Sequence, residues 1–267
     1  MKTGAQTWFR NYISQQPLTI ISLFITVLLL IASSGCKDST TEPSSSGQIS
    51  MTTKHSASDS PSDTFARMVR SENQTGSAVI DSLQITRARF VLRDIKYKTQ
   101  SDSSNFRAAP FVLELNLSSA IQNFAVAGVP FGSYRKIEFD VHRVNTNDTV
   151  SLSVSEQAQF LDFLAGERYS IIVSGTTYTA GISTAFTFKS KVNVKQKIDL
   201  DPELVINQSS PPINATMLIS SGGWFKLSTN VLLDPSDTSN ENTINDNLRA
   251  SIKVFKDNNK DGNKDTN

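Results

Sequence analysis

This sequence predicts an all-β fold of two packed sheets, with one or two short accessory helices. Three observations lead there. Apolar and polar residues alternate through successive segments between Leu83 and Ile219. Clusters of Gly, Pro, Asn, Asp and Ser separate those segments as turns. Only two stretches carry a helical spacing, and no repeat recurs at a fixed period. At 267 residues, 38% of them hydrophobic and 19% charged, the chain can bury an ordinary globular core as one large domain or two small ones.

The N-terminal element stands apart from that fold. Lys2 and Arg10 precede an apolar run from Leu18 to Ala32, and Ser33, Ser34 and Gly35 stand just before Cys36, the one cysteine. Basic, then apolar, then small is the order of a secretory signal peptide. The apolar run of 15 residues is shorter than the roughly 20 that a spanning helix needs. The segment resembles a lipoprotein signal, in which the peptidase cuts before a cysteine whose thiol takes a diacylglycerol; Ser33 stands where that signal usually has an aliphatic residue. The resemblance implies a signal peptide over residues 1–35 and a lipid anchor on Cys36; the alternative is an uncleaved N-terminal membrane anchor with an incidental cysteine, and either tethers the protein. Two or more acyl chains, at about 0.8 kcal/mol per buried CH₂, hold a protein stably where one does not. Lys37 is not the Asp that resembles an inner-membrane retention signal, and Lys37-Asp38 matches the start of a surface-export signal that Ser39 then breaks. The outer membrane is therefore the expected location, at the cell surface, with a periplasm-facing domain as the alternative.

Residues 36–46 are Ser, Thr, Pro and charge, a flexible tether. The β-sandwich domain is expected over 47–255. Ile49, Met51 and Thr53 alternate with Ser50 and Thr52 as a first strand. Residues 55–76 read as a long mobile loop, with Phe65, Met68 and Val69 as a short docking segment. Leu83 and Ile85 lie on one parity while Ala88, Phe90 and Leu92 lie on the other, which places a bulge near Thr86-Arg87. Phe111–Leu117, Ile137–Val141, Arg168–Thr176, Thr184–Ser190, Val192–Leu200 and Ala215–Ile219 continue the strand pattern. Ser155 caps a short helix through Phe160 and Leu164 that stops at Gly166. Asn242 or Thr243 caps a second, with Ile244, Leu248 and Ile252 on one stripe.

The run Gly128-Val129-Pro130-Phe131-Gly132-Ser133-Tyr134 leads directly into the strand 135–144. It resembles an element of an uncharacterised domain family common in bacterial lipoproteins, and Trp224-Phe225 and Leu233-Asp234-Pro235 look similar to that family too. The resemblance implies an immunoglobulin-like or transthyretin-like sandwich over roughly residues 47–255, and it supplies no catalytic residues.

One segment carries chemistry of its own. In the tail 256–267, Asp257, Asn259, Asp261, Asn263 and Asp265 place oxygen-bearing side chains at positions 1, 3, 5, 7 and 9 of a loop, with Gly262 at position 6. Calcium takes six to eight oxygens, and Gly at 6 permits the sharp turn. A helix ending at Phe255-Lys256 is the expected entering element. The pattern resembles an EF-hand or dockerin-type loop, and position 12, the bidentate acid, lies past Asn267. The expectation is a weak structural Ca²⁺ site, against a solvated tail as the alternative.

Other clusters point to little chemistry. Glu138, Asp140 and His142 share a strand face, as solvent-facing polar residues do in any half-buried strand. His55 falls in the expected loop. No nucleophile elbow and no phosphate-cradling glycine loop occurs. Gly222-Gly223-Trp224-Phe225 reads as a buried core Trp after a turn, with an aromatic platform for a sugar as the alternative. The formal charge is +1, which gives no reason to expect nucleic acid. The reading is a membrane-anchored, non-catalytic binding or envelope structural module with a protein or glycan partner. A glycan-binding accessory protein is the alternative, and a hydrolase around His142 a more distant one.

Overall fold

A computed structural model describes residues 46–57, 67–69, 80–99, 106–107, 109–228 and 231–265. The signal segment, Cys36 and the expected tether up to residue 45 lie outside the described residues; Ser46, placed in the tether, begins the first strand. In chain order the strands are β1 (Ser46–Ser56), β2 (Arg67–Val69), β3 (Ser82–Thr99), β4 (Phe106–Arg107), β5 (Phe111–Glu114), β6 (Gln122–Pro130) and β7 (Gly132–Val141). After three short helices follow β8 (Ile171–Thr179), β9 (Ile182–Ser190), β10 (Val194–Ile206), β11 (Ile213–Ser220), β12 (Lys226–Ser228), β13 (Val231–Leu232) and β14 (Ile252–Lys256).

Two large sheets result. The smaller has the order β14-β11-β1-β6; the larger runs β10-β7-β3-β8-β9, with β2, β4 and β5 also paired to β3. β1 and β11 are parallel, and the other pairs are antiparallel. Strand β3 organises the larger sheet because it is 18 residues long. It pairs with β8 over Ser82–Phe90 and with β7 over Leu92–Thr99. Val91 is the handover: its N–H donates to the Ser170 carbonyl at 2.8 Å and its own carbonyl accepts from the His142 N–H at 3.2 Å. The expected bulge is present, as a register shift between Ile85 and Arg87.

The inner faces close over one core. Ile49 and Met51 of β1, Met217 and Ile219 of β11, and Leu83, Phe90, Ile137, Phe139 and Val173 of the larger sheet are all buried. Trp224 is fully buried at the end of a 3₁₀ turn (Ser221–Gly223), its ring edge-on to Phe90 at 6.0 Å and its Nε1–H donating to Ser251 Oγ at 2.8 Å. Burying so large a ring is favourable only with the indole N–H satisfied. The corner between sheets is the Val129–Tyr134 segment. β6 belongs to one sheet and β7 to the other, and the Tyr134 hydroxyl donates to the Pro130 carbonyl at 2.8 Å. This reach back of four residues ties the turn as a tyrosine corner does.

The helices differ in detail from their expected limits. α1 (Thr146–Thr149) was not anticipated. α2 (Val154–Gln159) is capped by Ser153, not Ser155, because Ser153 and Glu156 form a reciprocal capping box. α3 (Leu161–Leu164) follows, and Phe160 and Phe163 cover Val91 and Ile172 on the outer face of the larger sheet. α4 (Glu241–Ala250) buries Ile244 and Leu248, but Ile252 begins β14. The expected loop 55–76 also needs correction. His55 belongs to β1, and Arg67–Val69 pairs with β3 as a strand.

Candidate functional site: the C-terminal aspartate loop

The loop Asp257–Asp265 follows a strand, β14, where a helix was expected. It folds back over the outer face of the smaller sheet, and the alternation of β1 explains why. Ile49, Met51, Thr53 and His55 point into the sandwich; Ser50, Thr52 and Lys54 point outward, beside Asn214 and Thr216 of β11. Ser50, Thr52, Asn214 and Thr216 are nevertheless buried, so each needs a partner. Ser50 Oγ donates to Asn214 Oδ1 at 2.9 Å, and Asn214 Nδ2 donates to Thr52 Oγ1 at 2.9 Å and to the Asp257 carbonyl at 3.0 Å. Thr52 and Thr216 hydroxyls are 2.6 Å apart, and Thr216 Oγ1 donates to Asp257 Oδ2 at 2.5 Å.

Asp257 ends this ladder and starts the loop. It is fully buried. Its Oδ1 accepts from the Asp261 N–H at 3.1 Å, and its Oδ2 from the Gly262 N–H at 2.9 Å. Three donors on one carboxylate are the compensation that a buried charge requires. Gly262 has φ +76°, a left-handed conformation that strains any residue with a Cβ, and a Cβ there would lie 2.3 Å from Lys54 Cδ and push that side chain aside. Lys54 Nζ donates to the carbonyls of Asp261 and Gly262 at 3.3 and 3.4 Å, fastening the loop to β1.

The five sequence-predicted ligands thus divide. Asn259, Asp261, Asn263 and Asp265 border one polar pocket of about 450 Å³, while Asp257 lies beneath, engaged by Thr216 and the loop amides. Asn259 Nδ2 donates to Asp261 Oδ2 at 3.0 Å, and the Asn263 N–H donates to Asp261 Oδ1 at 2.7 Å. That backbone N–H, with help from the Asn259 amide and Lys54, holds the Asp261 carboxyl below its ordinary range. Asp265 Oδ2 accepts from the Asn258 N–H at 2.8 Å, which closes the loop across seven residues. The four side chains offer oxygens, the chemistry that a hard cation such as Ca²⁺ takes, and Lys256 and Lys264 border the same pocket. Among the described residues no three His, Cys, Asp or Glu side chains converge as a ready-made metal group.

The other candidates separate from one another. Glu138 is buried beneath Lys98, Lys195 and Lys197, at 3.2, 3.8 and 3.8 Å. Burial pushes its carboxyl up, but Lys98 and its two neighbours outweigh this and hold it below its ordinary range. Asp140 is half-buried on the same strand, and His142, also half-buried, lies just past its end at Val141. His55, set aside in the sequence reading, is one of the most enclosed polar groups. Its Nδ1 meets the Leu117 carbonyl at 2.9 Å and its Nε2 meets Ser221 Oγ at 2.8 Å. A carbonyl only accepts, so Nδ1 carries the proton and Nε2 accepts from Ser221. Burial pushes its pKa down, against a smaller upward effect of the Leu117 hydrogen bond. The parity of His55 with Ile49, Met51 and Thr53 was the available sequence signal. Trp224 and Phe225 are fully buried and Tyr178 half-buried, so this trio forms no exposed aromatic platform.

Fold and loop together define the class: an all-β, two-sheet protein with an aspartate-rich loop docked on its smaller sheet. No protein-family model, curated protein or solved structure matches the chain.

Proposed function

We propose that this protein is an exported lipoprotein, anchored through lipid on Cys36, whose β-sandwich acts as a non-catalytic binding or structural module of the outer envelope. The observation that carries the reading is the order of residues 2–36: basic residues, a short apolar run, small residues and a single cysteine. The Ser221–His55 pair is under 3% exposed at both residues, so this nucleophile and base meet no substrate. Trp224 and Phe225 are buried and Tyr178 is half-buried, so these three rings do not favour the glycan alternative. The anchor is tested by Cys36→Ser and membrane fractionation. The lipoprotein reading requires the variant to leave the membrane fraction; unchanged association rejects it.

We further propose that the loop Asp257–Asp265 is a calcium clamp. Asn259, Asp261, Asn263 and Asp265 would offer oxygens to the ion, and Asp257 would orient the loop amides. The ion would neutralise the carboxylates gathered there and stiffen the loop where it docks on the sheet. A rise in Tm on titrating the protein to millimolar calcium supports this; no shift at that concentration rejects it.

A further inference from the structure

We infer that the free edge of β9 is a self-association site, where a second copy of this chain pairs antiparallel across a two-fold axis at Ala185. The inference goes beyond the proposed function and rests on neither the lipid anchor nor the calcium loop.

β9 ends the larger sheet, with β8 as its neighbour. Two contacts fix which of its backbone groups face β8. The Ser190 carbonyl accepts from the N–H of Ser170, just before β8, at 2.9 Å. Tyr178, the β8 residue opposite Ser183, instead turns its carbonyl toward the β3 side, where it accepts from the Asp81 N–H at 2.7 Å. In an antiparallel pair the residues alternate between bonding their partner and facing away from it. Ile182, Thr184, Phe186 and Phe188 are therefore bonded to β8, and Ser183, Ala185 and Thr187 turn their N–H and C=O outward. All three are exposed, and these backbone groups have no partner among the described residues.

An open edge is ordinarily defended by charge, proline, a bulge or a cover. β10 leaves its register with β7 between Asp199 and Leu204, and on β14 the Ile252 and Lys256 carbonyls accept from Gln196 Nε2 and the Asp265 N–H. From Ile182 to Phe188 β9 carries no charge, proline or glycine, and its register with β8 is unbroken over all nine pairs.

Another strand's backbone would also fit this edge; the side chains select a second copy. In a two-fold pair centred on Ala185, that residue faces Ala185 of the copy and Ser183 faces Thr187 of the copy, a hydroxyl pair. These are the outward-bonding residues, so each pair exchanges two hydrogen bonds. On the opposite face of the strand, Thr184 meets Phe186 of the copy and Ile182 meets its Phe188. Ile182 is 69% exposed in the single chain, whereas Phe186 and Phe188 are buried with their rings against Phe225. Pairing thus covers a large apolar side chain that otherwise stands in water. The nearest charge, Lys189, faces Gly181 of the copy, and its ammonium lies over the Tyr169 ring at 5.1 Å. No like charges meet along the pair. The contact is isologous, so it closes at two copies and leaves no β9 edge for a third. One strand pair is a small interface, which makes the dimer reversible and concentration-dependent.

The test uses the full chain in detergent. Sedimentation equilibrium should give a reversible dimer with Kd below ~200 µM. Ala185→Lys sets two ammonium groups face to face at the axis and should weaken the dimer at least tenfold. A wild type that stays monomeric at ~200 µM, or a dimer that Ala185→Lys leaves unchanged, overturns the inference. Register is read by cysteine under mild oxidation, with the wild type, whose one cysteine is Cys36, as control. Ala185→Cys should cross-link to its own copy, because the Cα atoms of a bonded pair stand ~5.5 Å apart, within disulfide range. Ser183→Cys and Thr187→Cys should cross-link when mixed and not singly. Should circular dichroism show Ala185→Lys unfolded, the cysteines decide: no cross-link at Ala185→Cys beyond that of the wild type overturns the inference.

Discussion

The Thr216 hydroxyl on β11 donates to the buried Asp257 carboxylate at 2.5 Å, and through that contact the last loop of the chain is joined to the middle of the smaller sheet. The bond ends a ladder in which Ser50, Asn214, Thr52 and Thr216 satisfy one another. Removing one member leaves its partners buried and unsatisfied, which costs about 1–3 kcal/mol.

Thr216→Val keeps the volume and deletes the hydroxyl that serves Asp257, Thr52 and Asn214. A loss of about 1–3 kcal/mol in urea unfolding is expected. Thr146→Val, on the exposed first turn of α1, should change stability by under ~0.5 kcal/mol. Equal effects at the two sites would contradict the ladder.

Gly262→Ala places a Cβ at φ +76° and 2.3 Å from Lys54 Cδ. The left-handed conformation costs about 1–2 kcal/mol for a residue with a Cβ, and Lys54 must move off the carbonyls of Asp261 and Gly262. The variant should melt earlier and respond less to calcium. An unchanged Tm and an unchanged calcium response would argue against the loop's docked geometry.

His55 makes stability depend on pH with a definite sign. Its folded pKa is lowered from 6.5 by burial, so between the folded value and 6.5 the unfolded chain binds more protons. Its contribution is complete above pH 6.5 and is lost as pH falls through that value toward the folded pKa. Urea midpoints from pH 8 to pH 5 should fall on the acid side, and His55→Gln should flatten that fall. A wild-type midpoint that stays level across the range would contradict the buried neutral imidazole.

Glu138→Gln removes the carboxylate that three lysines share and leaves them facing one another. The lysines are partly exposed, so water screens the loss to about 1–3 kcal/mol. Added salt should recover part of it. Stability insensitive to both substitution and salt would show that the cluster contributes nothing.

Local periodicity made most of the sandwich legible. The Ile85/Arg87 register shift followed from a change of parity, and Trp224 from a large aromatic after a glycine turn. Misreadings occurred where one residue type serves two structures. Ile252 continues the i, i+4 stripe of Ile244 and Leu248 but opens β14, because α4 stops at Ala250. Ser155 suits a helix cap, yet Ser153 alone has Glu three residues on to complete the box. His55 was hidden by the polar run after it. The five loop positions were readable from spacing alone. Their division into four around a pocket and one beneath it was not, since it depends on Thr216, about forty residues away, which tertiary structure alone brings to Asp257.

The central claim is that acyl chains on one thiol hold this sandwich in the envelope. Mass spectrometry of the N-terminal peptide from the native protein tests it most directly. The account requires a chain that starts at Cys36 and carries the mass of a diacylglyceryl group. An intact N-terminus with a free thiol at Cys36 would contradict it.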